Sequence, residues 1–153
     1  MSHTIQRRHA HDLHRLNEVN YQLVMRLIPD LLTLGNHAIS QTGSGSALHL
    51  QIIERSPYTT ALSLTHHFQL GTVKLPIPDL WLRIYHDVCV AEAIAQLDGS
   101  SPAHTRAYDW HKGLDTTVKC QLNRFTEKWL RHCLHEGHCF RDDGVHSEFL
   151  LDR

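Results

Sequence analysis

From Leu13 the apolar positions recur at spacings of three and four: Leu13, Leu16, Asn20, Leu23 and Leu27, with Val19, Val24 and Ile28 widening the stripe. That period predicts an amphipathic helix, with Asp12 as its cap and Asn20 as its one polar interruption. Pro29 disfavours helical geometry at Ile28 and lacks a donor, so the helix ends or kinks there. Asp30 to Leu34 suit one further turn, closed by Gly35. Residues 1–11 are polar and read as disordered.

The period then changes from three or four to two. Leu48, Leu50 and Ile52 alternate with His49, Gln51 and Ile53. Beyond a turn at Arg55-Ser56-Pro57, Tyr58, Thr60, Leu62, Leu64, His66 and Phe68 alternate with Thr59, Ala61, Ser63, Thr65 and His67. So short a connection predicts an antiparallel hairpin. Pro76-Ile77-Pro78 reads as a loop, after which Leu80, Leu82 and Ile84 share one face and Trp81, Arg83, Tyr85 and Asp87 the other. Val88 to Ala95 is ambiguous: the valines favour an extension of this strand past a bulge, the alanines a short helix. The strand is the preferred reading. Asp98 to Pro102 is a turn signal, and a last strand is expected near Thr105 to Trp110.

A second helical stripe follows a cap at Asp115: Val118, Leu122, Phe125, Trp129 and Cys133. Glu127 and Arg131 stand i,i+4 in the favourable order, and Gly137 suits the C-terminal cap. The tail 138–153 reads as weakly ordered, with Phe149-Leu150-Leu151 its apolar group. The layout is therefore α+β: an antiparallel meander of three to five strands with N-terminal and C-terminal helices packed on one face. Leu48, Leu50, Ile52, Leu62, Leu64, Leu82 and Ile84 should line the covered face. A doubly wound parallel sheet does not fit, because no helix separates the first two strands.

At 153 residues the chain suits a single domain, 1–153, with one core that needs no metal or disulfide staple. Fifteen Lys and Arg against sixteen Asp and Glu give a charge of −1, which argues against a nucleic-acid footprint. No apolar run is long enough to span a bilayer, so no membrane partner is expected. Nothing near the N-terminus has the apolar core of a signal peptide; Cys89, Cys120, Cys133 and Cys139 are therefore read as thiols in the cytoplasm. Fifteen histidines are the compositional outlier. Their ordinary pKa near 6.5 carries the net charge to roughly +10 at pH 6.

Candidate chemistry is thin. Gln41 to Ser46 holds two glycines but precedes an alternating strand pattern, whereas a phosphate loop must feed a helix. The densest ligand cluster is His132, His135, His138 and Cys139. It contains no Cys-x-x-Cys, and its His-Glu-Gly-His is one residue short of the spacing that puts two imidazoles on one helical face. These four are weak candidates; adventitious binding is the reading, and neither metal nor other cofactor is expected. Tyr85-His86-Asp87 with Glu92 is the most enzyme-like grouping, yet alternation turns His86 away from its neighbours. His86 continues the face of Leu82 and Ile84, where a hydrogen-bonded core histidine is the commoner outcome. Arg83, Tyr85 and Asp87 share the other face, and with Glu92 they are the candidate ligand-binding residues. No catalytic residue is assigned.

Several of these stretches together resemble the YqiB-like family of gammaproteobacterial proteins. They are Tyr58-Thr59-Thr60 after Glu54; Arg83-Ile84-Tyr85-His86-Asp87 with Val90-Ala91-Glu92; and Lys119 to Phe125, Trp129-Leu130, Cys133-Leu134 and Gly137. Asn20 and Leu23 to Pro29 fit as well. The likeness covers most of Asp12 to Gly137 and is specific as a set. It departs at Asp115 to Val118, where an acidic residue immediately before Lys119 would be expected. The resemblance implies a small cytosolic bacterial protein from a family of unknown function, and it carries no catalytic role. The functional expectation is a non-enzymatic module that binds a protein or a small ligand through its sheet surface. The alternative is a small enzyme, metal-assisted or not, built on Tyr85, His86, Asp87 and Glu92.

Overall fold

The computed structural model describes residues 2–43, 47–70, 72–97 and 116–142, with backbone alone for 2–10, 67–70, 73–77 and 97. The elements run α1 (Ser2–Leu27), β1 (His37–Ser40), β2 (Ala47–Arg55), β3 (Thr59–Leu70), β4 (Val73–Tyr85), β5 (Val90–Leu97) and α2 (Thr116–His135). The strands form one antiparallel sheet in sequence order, a five-stranded meander with a helix from each end of the chain. This is the α+β architecture that the change of period predicts.

The covered face is the one expected. Leu48, Leu50, Leu62, Leu64, Leu80, Leu82 and Ile84 are fully buried and Ile52 nearly so, packed with Leu23, Val24, Leu27 and Ile28 of the first helical segment and Trp129, Leu130 and Cys133 of α2. Each of these large side chains removes enough apolar surface to stabilise the fold by about 1.5–3 kcal/mol before entropy is counted. Their alternation along three strands fixes the register, since a slip of one residue would turn every leucine to solvent.

Several expectations need correction. Helix α1 starts at Ser2, so Asp12 lies in its interior instead of capping it, and the backbone of the segment read as disordered is helical. It does end before Pro29, with Ile28 N–H still reaching Val24 O. Strand β1, only four residues long, carries no readable period. Pro76 to Pro78 belong to β4, not to a loop. They are tolerated because β5 pairs with β4 only from Asp79 onward, so a missing N–H there breaks no ladder on that side. Pro76 and Asp79 also flank the register shift opposite Thr65 and His67. Val90–Leu97 is a separate strand that folds back on β4 through a turn at residues 86–89, not an extension of it. Cys89 closes that turn at φ +56°, an uncommon conformation for a residue with a side chain.

Helix α2 buries a different stripe from the one expected. Cys120, Asn123, Thr126, Trp129, Leu130 and Cys133 face inward, while Val118 is exposed and Leu122 and Phe125 flank the core. The helix ends as Gly137 predicts. That residue sits at φ +93°, Gly137 N–H bonds Leu134 O and His138 N–H bonds Cys133 O. The pair of bonds is a Schellman motif. The segment beyond it is not simply a loose tail: His138 and Phe140 are each 3% exposed, and Phe140 N–H donates to Leu27 O at 2.8 Å. Ser44 to Ser46, the turn at Asp98 to Pro102, the strand near Thr105 to Trp110, the Asp115 cap and Phe149 to Leu151 lie outside the described residues.

Two buried asparagines join the helices to the sheet. Ala93 N–H, on edge strand β5, donates to Asn123 Oδ1 at 2.9 Å. Asn123 Nδ2 returns to Lys119 O at 2.8 Å, and Asn20 Nδ2 donates to Asn123 O at 3.1 Å. Asn20 Oδ1 has no partner. The two residues are equally buried but not equally needed. Truncating Asn123 orphans a buried N–H, whereas truncating Asn20 removes an unpaired oxygen and leaves a helical carbonyl that has its own ladder bond. Asn123→Ala is therefore expected to cost about 1–3 kcal/mol more than Asn20→Ala in denaturant unfolding. Equal costs would show that the bridge to Ala93 contributes nothing. Trp129→Ala, which empties the largest inward position of α2, is expected to cost about 3–5 kcal/mol by the same measurement.

Candidate functional site

The sheet face opposite the described helices is not flat. Ala61 and Ser63 on β3 are small and buried, and they lie between larger cross-strand neighbours: Arg83 opposite Ala61 and Trp81 opposite Ser63. On the other side Ala61 pairs with Glu54, just past a bulge in β2. Small side chains flanked by long ones leave a hollow. Its volume is about 250 Å³, and Glu54, Ser56, Thr59, Ala61, Arg83 and Tyr85 line it. The lining offers a guanidinium fork, a carboxylate, two hydroxyls and a phenol around an alanine floor.

Of the residues that alternation places in this row, Arg83 and Tyr85 line the hollow. Asp87 does not share the strand, because β4 ends at Tyr85 and Asp87 is exposed in the following turn. Glu92 stands opposite Arg83 in the ladder, and its carboxylate lies 3.6 Å from the Lys119 ammonium at the start of α2. Thr59 lies on this face as its alternation predicts, whereas Glu54 and Ser56 are lining residues that the sequence pattern does not single out. The signal available for them is their register beside a small residue, which becomes readable only once the β2 bulge is known.

The enzyme-like grouping is taken apart by the same geometry. His86 Nε2 lies 2.8 Å from Oγ1 of buried Thr60, and His86 N–H donates to Tyr58 O at 2.8 Å. The imidazole thus joins the covered side of the sheet while Tyr85 lines the open side. Burial lowers the His86 pKa, the nearby Arg55 cation adds to that, and Asp87 partly opposes it. Arg55 itself is committed to the fold: its guanidinium donates to Leu31 O at 2.9 Å and Leu34 O at 2.6 Å, which holds the segment after α1 against β2. His86 is the hydrogen-bonded histidine that its strand position predicts.

The candidate metal ligands also part company. His132 is exposed and 3.9 Å from Glu136, and His135 is exposed. His138 is buried with Nδ1 3.0 Å from Ser40 Oγ, and the Cys139 amide donates to the same oxygen at 3.2 Å. Cys133 belongs to the core, where burial pushes its thiol up to about 12. Among the described residues no group of three or more His, Cys, Asp or Glu side chains is placed to hold a metal ion. Among the same residues no helix is long and apolar enough to cross a membrane.

The chain is similar to the uncharacterized YqiB proteins of Escherichia coli strains K12, O6:H1 and O157:H7, each 28% identical over 126 residues, which is 82% of this chain and 89% of theirs. No solved structure matches it. The family model described as "Protein of unknown function (DUF1249)" matches residues 23–139, from the buried end of α1 to the segment that follows α2. With the whole sheet, all of α2 and the buried end of α1 inside that match, the chain belongs to the DUF1249 family.

Proposed function

We propose that this protein is a non-catalytic binding module whose recognition surface is the sheet face opposite its described helices. The observation that carries the reading is the hollow itself. A sheet face needs only polarity to meet water, whereas this one sets an Arg, a Glu, a Tyr and two hydroxyls around a buried alanine. Arg83 brings a guanidinium to the lining, the group whose geometry matches a planar acceptor such as a carboxylate or phosphate. Glu54, on the adjacent side, accepts from an amine or hydroxyl. The occupant that fits is a small polar ligand with both kinds of group, with Tyr85 giving apolar contact between them. A cytoplasmic setting is part of the reading, supported by four free cysteines at positions 89, 120, 133 and 139.

The test is a nuclear magnetic resonance screen of small zwitterionic and anionic compounds. Shifts are expected at Thr59, Ala61, Arg83 and Tyr85, and they should vanish in an Arg83→Ala, Tyr85→Ala double variant that keeps the native unfolding midpoint. Ligands that shift residues elsewhere, or bind the double variant equally well, would remove the hollow as the site. Loss of folding in the double variant would mark Arg83 and Tyr85 as structural.

A further inference from the structure

The segment after α2 is held by hydrogen bonds at three points. At its start His138 Nδ1 and the Cys139 amide meet the same Ser40 hydroxyl, at 3.0 and 3.2 Å. In its middle Phe140 N–H donates to Leu27 O at 2.8 Å and the ring enters the core. At its end Asp142 N–H donates to Asp30 Oδ2 at 2.7 Å. Residues 138–142 therefore lie as a strap across β1 and the segment that ends α1. Gly137 precedes them at φ +93°, with nothing nearer than Thr42 Cγ2 at 3.8 Å from where a Cβ would stand. The strap thus hangs from a residue with unusual backbone freedom.

The Ser40 hydroxyl and His138 Nδ1 share one hydrogen, and which of them donates depends on the ring's tautomer. With either tautomer, protonation of the ring leaves a charge in a site 3% exposed. The His66 ring of β3 stands edge-on at 5.9 Å and 88°, itself edge-on to Trp129 at 6.4 Å.

We propose that residues 138–142 are an acid-released strap: protonation of His138 puts a charge into this closed site and frees the segment to leave β1 and the end of α1, uncovering Phe140. The groups around the ring agree on the direction. Burial is the largest influence and lowers the His138 pKa; His66 from β3 and His132 from α2 lower it further, while Glu136 of the α2 cap and a hydrogen bond with the Ser40 main chain oppose. Asp30 engages the far end of the strap, away from the ring. The docked state thus binds its proton less readily than the released state. Docking is fully favoured above the ordinary histidine pKa of about 6.5 and is weakened as pH falls through that value towards the depressed one.

The experiment is amide exchange by nuclear magnetic resonance at pH 7.5 and 5.5, corrected for intrinsic rates, with the His138 ring titrated in the same samples. If the docked ring stays neutral, protection at Cys139, Phe140 and Asp142 falls by up to about tenfold over this interval, the fall setting in near the ordinary histidine pKa of about 6.5. Core amides such as Leu62 and Leu82 keep their protection. His138→Asn, which retains an acceptor near the Nδ1 position but cannot be charged, abolishes the pH dependence, and His66→Gln keeps it. Unchanged protection in the native chain, a fall that persists in His138→Asn, or core amides that weaken in step would each overturn the proposal. Should His138→Asn fail to fold, the native chain decides: a His138 ring that is protonated at pH 5.5 while the strap amides keep their protection also overturns it.

Discussion

The placement of the whole helical layer turns on one side-chain amide. Asn123 accepts the N–H of Ala93 on edge strand β5 and, through its main-chain oxygen, receives Asn20 of α1. An edge strand offers free N–H and C=O groups to any other strand, and proteins protect such edges by covering or distorting them. Here the covering is specific: a side chain from α2 takes a backbone donor on the side of β5 away from β4. The β4–β5 ladder shifts register between Trp81 and Leu82, close to the same point, which further spoils β5 as a template. With α2 tied to β5 and α1 tied to α2, the described helices are committed to one side of the sheet, and the hollow lies on the other.

That open side is shaped by the constraint that buried leucines impose beneath it. Leu62, Leu64, Leu82 and Ile84 lock β3 and β4 in register, so Ala61 must face Arg83 and Ser63 must face Trp81. The hollow is a consequence of that pairing of small with large and does not require a loop to build it. A site on paired strands is held more rigidly than one on connections, which suits recognition by a preformed surface. The same rigidity explains why the Tyr85, His86 and Glu92 grouping does not converge. Adjacent residues of a strand point to opposite faces, and Glu92 is drawn to Lys119 at the helix end.

The covered face was legible in the sequence because leucine alternation over β2, β3 and β4 leaves one arrangement that buries all of it. Asn20 was legible as an anomaly, but its partner was not, since Asn123 lies 103 residues away and looks like an ordinary polar helix position. The inward face of α2 is legible at Trp129 and Cys133 but not at its start, for the same reason. Cys120, Asn123 and Thr126 are small or hydrogen-bonded, so apolar spacing points to the exposed Val118 instead. Strand β1 is too short for a period, and Phe140 stands alone among polar residues; each is ordered by long-range bonds that no local pattern encodes. The hollow was half legible. Arg83 and Tyr85 follow from alternation, whereas Glu54 and Ser56 depend on a bulge and Asp87 on where β4 stops.

Histidine abundance first suggests that acid acts on this protein through many sites at once. The structure separates two classes. Exposed rings such as His14, paired with Glu18 at 3.1 Å, and His132, near Glu136, gain or keep a favourable neighbour when protonated. His86 and His138 do the opposite. Each is bonded to a buried hydroxyl, Thr60 near the start of β3 and Ser40 at the end of β1, and each has its pKa lowered chiefly by burial. The two pairs fasten different connecting segments, the turn after β4 and the segment after α2. In both, burial makes the released ring the better base, so the hold on that segment weakens as pH falls through about 6.5. Among the described residues, acid thus acts locally through two imidazole–hydroxyl contacts that fasten connecting segments, not through the exposed rings, whose charge bears on colloidal behaviour.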